Sequence, residues 1–487
     1  METMWRRDRA PEGELRTVRV GSVAKTVQMR VLFATAELAP LVKVGGLADA
    51  SAGLVGALRA KGVEVDIVLP DYGELPLVSA ELQELRVPQW AGPATVRRAV
   101  FGGVEVSLMT VPGIARPHPY LDADGRAWPD NEQRFLTFSA AVAAWATITS
   151  PDVIHLNDWH TGATLGYLDD PPPSVLTIHN LAYQGATSGD WLETFVRRPE
   201  AYDRGSETNP LAGAITLADR VITVSPTFAA ESRRPETGFG LGELLEARGE
   251  DFSGILNGID TDLWNPTADP HLGVNYDIDS LDRRHDIRRS LVGELGWEPN
   301  AEPLIGMVTR LTDQKGVDFA LEATSILDDV GARMVLLGSG ELSLANAARR
   351  VAVSHGDRFV FREGYDEGLA HRIFGGSDLY LMPSRFEPSG LTQMQAMRYG
   401  SIPVVTDVGG LHDTVTDADR FPTDGNGFVA EDVSGPAICD ALERAVSGWR
   451  VPSRREKIIG RGMSRDWSWD VPAGLCIDVY QEITSAR

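Results

Sequence analysis

Short apolar runs, each a strand's length and each followed by a helix-length or loop-length segment, recur along this chain in two separate series. In the first, residues 31–35 lead through a glycine-containing turn into Leu47, Ala50, Leu54 and Leu58 at helical spacing, then into a second run at 63–69. Similar runs follow at 153–156, 174–178 and 220–224, and a second series runs through 304–308, 334–337, 359–361, 379–382 and 403–405. Strands alternating with helices build parallel sheets covered on both faces, so the pattern predicts an α/β chain of two doubly wound, Rossmann-like domains. Length agrees: 487 residues exceed the roughly 250–300 at which a single core stops growing.

Between the two series, residues 265–300 are polar, rich in Asp and Arg, and carry no sustained apolar period. The expected division is a tail over 1–28, a first domain over 29–275 and a second over 276–465. Two such domains face each other across a cleft. Ligands of open parallel sheets sit at the carboxyl ends of the strands, so the loops after each run are where chemistry is expected.

Charge narrows the partners. With 69 acidic against 46 basic side chains, a formal charge of -23, the chain lacks the basic face that tracks a nucleic-acid backbone. A phosphate site must then be a local pocket of Lys, Arg and backbone N–H groups, whereas a neutral polymer meets no repulsion. Two cysteines, Cys439 and Cys476, make neither a disulfide framework nor a zinc cluster, which fits a reducing cytoplasm. No apolar run approaches the ~18 residues of a membrane span, and the first 28 residues have no apolar signal core. The expectation is a cytoplasmic protein without nucleic-acid or membrane partners.

Candidate chemistry sits at the strand exits. Lys43-Val44-Gly45-Gly46-Leu47-Ala48-Asp49 follows the first run and opens the first helix, so its N–H groups and Lys43 suit an anion; a tight turn with a solvated lysine explains it as well. His155-Leu156-Asn157-Asp158-Trp159-His160 and His179-Asn180-Leu181-Ala182-Tyr183-Gln184-Gly185 place histidines where imidazole meets hydroxyl groups, and Trp159 or Tyr183 where a sugar face could pack; core or capping roles are the alternative. Neither segment has the H-E-x-x-H spacing of a zinc site. Thr309-Arg310-Leu311-Thr312-Asp313-Gln314-Lys315-Gly316 offers two cations for a diphosphate. Pro383-Ser384-Arg385-Phe386-Glu387-Pro388-Ser389-Gly390-Leu391-Thr392-Gln393 holds a carboxylate between two prolines ahead of a helix. Gly338-Ser339-Gly340 raises a dinucleotide-dependent oxidoreductase as an alternative, but it lacks the third glycine.

Together these segments resemble the bacterial glycogen and starch synthases, glycosyltransferases of the GT-B fold. The resemblance extends from Met29 over nearly the whole chain and includes Trp128-Pro129-Asp130-Asn131, Val224-Ser225-Pro226-Thr227 and Leu256-Asn257-Gly258-Ile259-Asp260. It implies a retaining glucosyltransferase that elongates α-1,4-glucan (glycogen) from ADP-glucose, independent of metal and needing no other cofactor. Lys43, Gly45 and Gly46 are then expected near the donor phosphates, with Arg310 and Lys315 opposite. Tyr365 is expected near the adenine, Glu387 at the donor glucose, Gly390, Leu391 and Thr392 at sugar and phosphates, and Asn257 close by. Asp49, Tyr120, Asp158 and His179 are expected on the acceptor side or at the reacting centre. Residues 466–487 resemble the family's closing segment, which crosses back to the first domain. Ser389 and Thr406-Asp407 depart from the family pattern, where Cys and two arginines are common, and a transferase acting on a small sugar-phosphate or secondary-metabolite acceptor is the alternative.

Overall fold

The computed structural model describes residues 29–73, 82–101 and 104–486. The tail expected over 1–28 lies outside them. In chain order the strands are β1 (Arg30–Ala34), β2 (Glu64–Pro70), β3 (Leu82–Leu85), β4 (Ala94–Phe101), β5 (Val104–Thr110), β6 (Val153–Asn157), β7 (Ser174–Ile178), β8 (Thr187–Ser188), β9 (Glu207–Thr208), β10 (Arg220–Thr223) and β11 (Phe252–Gly254). The second half adds β12 (Leu304–Val308), β13 (Arg333–Gly338), β14 (Phe359–Glu363), β15 (Leu379–Met382), β16 (Ile402–Val405) and β17 (Phe428–Val429).

Among the described residues the first sheet runs β11-β10-β7-β6-β1-β2-β5-β4-β3 and the second β14-β13-β12-β15-β16-β17, while β8 and β9 pair separately. All pairings of the second sheet are parallel. The first is not wholly so: β4 runs antiparallel to both β3 and β5, against the expected all-parallel sheet. β4 buries Ala94, Val96 and Ala99 but leaves Arg98 and Val100 exposed, a partly solvated strand one place in from the edge of the sheet. In each sheet the strand order reverses beside the strand that begins the series, between β1 and β6 and between β12 and β15. Crevices open at such reversals.

Two apolar cores lie under these sheets. The helix Gly46–Ala60 buries Leu47, Ala50, Leu54 and Leu58, the apolar stripe of 3.6-residue periodicity. Against it lies the helix Asp470–Ser485, whose Ala473, Cys476, Tyr480 and Ile483 belong to the first core although they come last in the chain. His155 at the centre of the first sheet takes Tyr480 Oη at 2.6 Å on Nδ1 and Thr177 Oγ1 at 2.6 Å on Nε2. The Trp469 indole lies over Gly53, where a Cβ would come within 2.0 Å of Nε1. Lys61 holds Asp470 at 2.7 Å and Arg220 pairs with Glu482.

The second core already includes Ile259, Trp264 and Leu272, ahead of the division expected at 275, and continues through Tyr276. Trp264 stacks on His371 at 4.2 Å, and Tyr276 Oη donates to Tyr399 O at 2.7 Å. Isolated aromatic anchors in a polar stretch leave no periodic signature. The chain therefore crosses between domains near residues 256–258 and again at Ser468, between Trp467 of one core and Trp469 of the other. The crossings touch: Ile259 N donates to Trp467 O at 2.8 Å. Among the described residues no helix is long and apolar enough to cross a membrane.

Candidate active site

The turn after β1 carries Lys43, Gly45 and Gly46, and the loop after β6 carries Asp158, so both flank the first sheet's reversal. Arg310 and Lys315 follow β12 and Glu387 follows β15, flanking the second. The two crevices face each other. A Cβ built on Gly46 would lie 3.8 Å from Leu391 of the other domain, and Lys43 feels the charge of Glu367 across the gap.

On the second-domain side Lys315 Nζ meets Glu387 Oε2 at 2.6 Å, and Ser384 Oγ donates to the same oxygen at 3.0 Å. Oε1 is left as the remaining acceptor of a carboxylate that is 4% exposed. Gly316 makes this pairing possible: its φ is +60°, and a Cβ there would lie 1.9 Å from Pro383 O, a position only glycine fills without strain. Arg385 forks onto Asp318 at 2.8 and 2.7 Å and lies over Phe319, pinning the Glu387 loop to the helix that follows Lys315. The Arg310 guanidinium is exposed and has no hydrogen bond or ion pair among the described residues. Gly390 has φ +64°, Leu391 caps the helix Thr392–Arg398, and Thr392 Oγ1 points at Met382 Sδ, 3.2 Å away.

The first-domain side holds a residue that the sequence reading missed. Glu37, buried just past β1, accepts from Val44 N at 2.8 Å and Gly45 N at 2.9 Å through Oε2, and from Tyr120 Oη at 2.8 Å through Oε1. The Gly45 N–H is therefore committed to a carboxylate and is not among the donors an anion meets. Tyr120 is a strut for that carboxylate; burial, and then Glu37, hold its phenol well above its ordinary range. Lys43 Nζ lies 2.9 Å from Asp49 Oδ1. Burial pulls the Lys43 ammonium down, but Asp49 outweighs it and the net shift is upward. Burial likewise raises Asp49 despite Lys43.

Asp158 occupies a left-handed backbone position, φ +55°, and its Oδ1 accepts from His179 N at 2.7 Å and Asn180 N at 3.4 Å. The next loop is thereby tied to this one. His179 Nε2 lies 2.9 Å from Asn157 Oδ1, and Asn157 Nδ2 donates to Ala34 O at 2.9 Å. With the amide so oriented, Nε2 carries the ring proton and Nδ1 is the acceptor. Burial brings the His179 pKa down to about 3, so the ring is neutral. His155 and His160 serve the core: the first is bonded as described, and the second stacks on Trp159 at 4.3 Å. Trp159 itself is covered by Gly185, so of the two aromatics considered for a sugar face only Tyr183 is exposed. Asn257 adjoins the crossing at Gly258, and Tyr365 is 68% exposed on the facing rim.

Burial pushes the Asp158 carboxyl up to about 7 against its two N–H donors. Unfolded, the group ionises near 3.8, so from that pH to about 7 the folded state binds more protons and stability falls as pH rises. Asp158→Asn keeps an acceptor for both N–H groups and tolerates the left-handed backbone. Its melting temperature is expected to gain on the parent's as pH goes from 5 to 8, at about 2–4 °C per kcal/mol for domains this large. Thermal melts at the two pH values read this, and a pH-independent difference would refute it.

Sequence features that suggested other chemistry have structural explanations. A Cβ on Gly338 would lie 2.0 Å from Thr309 O and one on Gly340 2.4 Å from Leu311 O, so these glycines serve strand-exit packing. The spacings Asp277-Ile278-Asp279 and Asp417-Ala418-Asp419 fit the D-x-D pattern of some metal sites, but Asp277 caps the helical turn Ile278–Arg283, and Asp417 and Asp419 pair with Arg444.

Comparison with known proteins agrees with this geometry. The family profile described as starch synthase catalytic domain matches residues 30–247, and that of group 1 glycosyl transferases matches 297–464. The catalytic domain of starch synthase IV from Arabidopsis thaliana, bound to ADP and acarbose, superposes with a TM-score of 0.84 at 33% identity, covering 94% of this chain and 99% of that one. Sucrose-phosphate synthase from Thermosynechococcus elongatus, 18% identical at a TM-score of 0.61, shares the fold. Two facing Rossmann-like domains with these matches define a glycosyltransferase of the GT-B fold. The glycogen synthase of Alkalilimnicola ehrlichii is 40% identical over 475 residues, 93% of this chain and 98% of its own, and that of Halorhodospira halophila is 40% identical over 481 residues, 94% and 100%. The chain belongs to the glycogen and starch synthase family.

Proposed function

We propose that this glycosyltransferase is a retaining enzyme that lengthens α-1,4-glucan, such as glycogen, from ADP-glucose. The observation that supports the reading is the closeness of the Lys43 turn, through Gly46, to Leu391 of the loop whose Glu387 is held by Lys315, with Arg310 on the loop after β12. A nucleoside diphosphate needs such a local nest of cations in a chain of charge -23. The ADP and acarbose held by the Arabidopsis relative support both halves of the assignment, nucleotide and oligosaccharide.

In this reading the acceptor hydroxyl oxygen bonds to C1 of the donor glucose on the face from which the diphosphate departs. The bond from C1 to the phosphate oxygen breaks, and the hydroxyl proton passes to that oxygen. Charge grows on the leaving phosphate, where Arg310, Lys315 and Lys43 stabilise it more than they stabilise the ground state. Glu387, neutralised in part by Lys315, orients the glucose and offsets positive charge at C1. Gly390, Leu391 and Thr392 seat the sugar and phosphates, Tyr365 lies by the adenine, and Asn257 is close by. Neutral His179 with Asp158 and Asp49 lines the acceptor side, and Tyr120 acts there through Glu37. Three cations take the part a metal ion would play, so activity is expected to survive EDTA. The free thiols of Cys439 and Cys476 suit a cytoplasmic setting.

Gly45 tests the site without disturbing the fold. It is extended at φ -149°, and a Cβ there meets nothing within 4 Å, so the protein itself does not require glycine. Gly45→Ala is expected to change stability by less than about 0.5 kcal/mol while raising the KM for the donor several-fold; an unchanged KM would remove this turn from the donor site. The reaction itself is tested by measuring ADP and UDP release from the corresponding glucose donors with glycogen, maltose or no acceptor. ADP release that requires glycogen or maltose supports the reading. Donor hydrolysis with transfer to neither would point to a small acceptor.

A further inference from the structure

The Val224-Ser225-Pro226-Thr227 segment lies in the first domain and touches the Glu387 loop of the second. Ser225, fully buried, accepts from Phe228 N at 3.2 Å as the cap of the helix Pro226–Ser232 and donates to Pro388 O, the residue after Glu387, at 2.5 Å. Thr227 grips Asp413 with two donors, its N on Oδ2 at 3.0 Å and its Oγ1 on Oδ1 at 2.7 Å. Four residues on, Glu231 Oε1 accepts from Gly409 N at 3.1 Å.

Asp413 and Gly409 both belong to the short helix Gly409–Thr414, and that helix in turn holds the Glu387 loop. Gly410 N donates to Glu387 O at 2.9 Å. A Cβ on Gly409 would lie 2.0 Å from Glu387 O, and one on Gly410 1.9 Å from Ser389 O, so the helix presses directly on the loop backbone. At the rim Phe239, in a left-handed backbone position at φ +50°, sets its ring 5.1 Å from Phe386. A bulky residue in that region is a true outlier, held there by its surroundings. Gln184, from the His179 loop, donates to Phe239 O at 2.8 Å.

We infer that Thr227 and Ser225 are positioning residues for Glu387: through Asp413 and Pro388 they clamp the second domain's carboxylate loop to the first domain when the cleft is closed. An open cleft breaks all these bonds at once, and the loop then loses every restraint supplied by the first domain. The carboxylate thus reaches its working place only when the Lys43 turn is also opposite it.

The kinetic part of this inference rests on the glucosyl-transfer reading above; the structural part does not. Thr227→Val removes the hydroxyl donor and keeps size and backbone, and Thr227→Ser restores the donor. Backbone hydrogen exchange over residues 384–392 is expected to quicken about tenfold in Thr227→Val, the factor that one hydrogen bond to a charged group is worth, and to return towards parent in Thr227→Ser. With glycogen and ADP-glucose, kcat is expected to fall by a similar factor while the melting temperature and the affinity for ADP stay at parental values. Asp413→Asn, which leaves the carboxamide oxygen for one donor only, should show the same pattern.

Unchanged exchange over 384–392 in both variants overturns the clamp whatever the activity does. Faster exchange with parental kcat overturns the positioning role, as does a kcat loss that merely follows the melting temperature. A parent that transfers glucose to no acceptor overturns the functional reading, while the exchange experiment still decides the clamp.

Discussion

Glu387→Gln is expected to lower the rate of glucosyl transfer by about 10²–10³, the loss typical when one preplaced charge or donor is removed from a transition state. The amide keeps the shape of the side chain and can still accept from Ser384 Oγ, which lies 3.0 Å from Oε2. What disappears is the ion pair with Lys315 and, in the proposed mechanism, the negative charge beside C1. Affinity for ADP should therefore hold within a few-fold, so that calorimetric titration with ADP and steady-state kinetics part company. A variant that keeps more than a tenth of parental kcat would show that this carboxylate is not where charge develops.

Lys315→Met is expected to harm the fold as well as the chemistry. Its partner is 6% exposed in the side chain, and a buried carboxylate stripped of its counter-ion typically costs about 3–5 kcal/mol. Adding Glu387→Gln removes the stranded charge, so the double variant should regain most of the lost stability while remaining inactive. Urea unfolding midpoints of the parent, both single variants and the double variant measure this. A double variant no more stable than Lys315→Met alone would mean that the pair is not coupled.

Much of this architecture is legible in the sequence because parallel strands buried on both faces appear as apolar runs, and the loops that carry chemistry follow them directly. The runs at 153–156 and 379–382 fall on β6 and β15, and Asp158 and Glu387 follow them. The antiparallel edge escapes this reading: β4 is only partly buried and its apolar residues are interrupted by Arg97 and Arg98, while β5, buried from Val106 to Met109, carries Ser107 inside its run. The cleft side of the first domain was read incompletely for a different reason. Glu37 is bonded to the backbone seven and eight residues on and to Tyr120, 83 residues from it in the chain, and no local spacing marks such a partnership. Its one signal, an acidic residue between apolar neighbours at a strand exit, is visible at Ala36-Glu37-Leu38. In the same way Thr227 and Asp413 stand 186 residues apart, each in a segment that looks locally like an ordinary helix start or turn.

The bond between His155 and Tyr480 joins residues 325 positions apart, and this bears on how the protein is born. A ribosome adding roughly 5–20 residues per second completes β6 tens of seconds before Tyr480 exists. Throughout that interval the nascent first domain carries an open furrow along the helix Gly46–Ala60, with Gly53 awaiting an indole and His155 awaiting a hydroxyl. The second domain, whose core closes at Trp467, is finished first even though it is made second. Removing the last helix would thus leave an exposed apolar furrow in the domain translated earliest, which is the kind of surface that recruits chaperones and seeds aggregates.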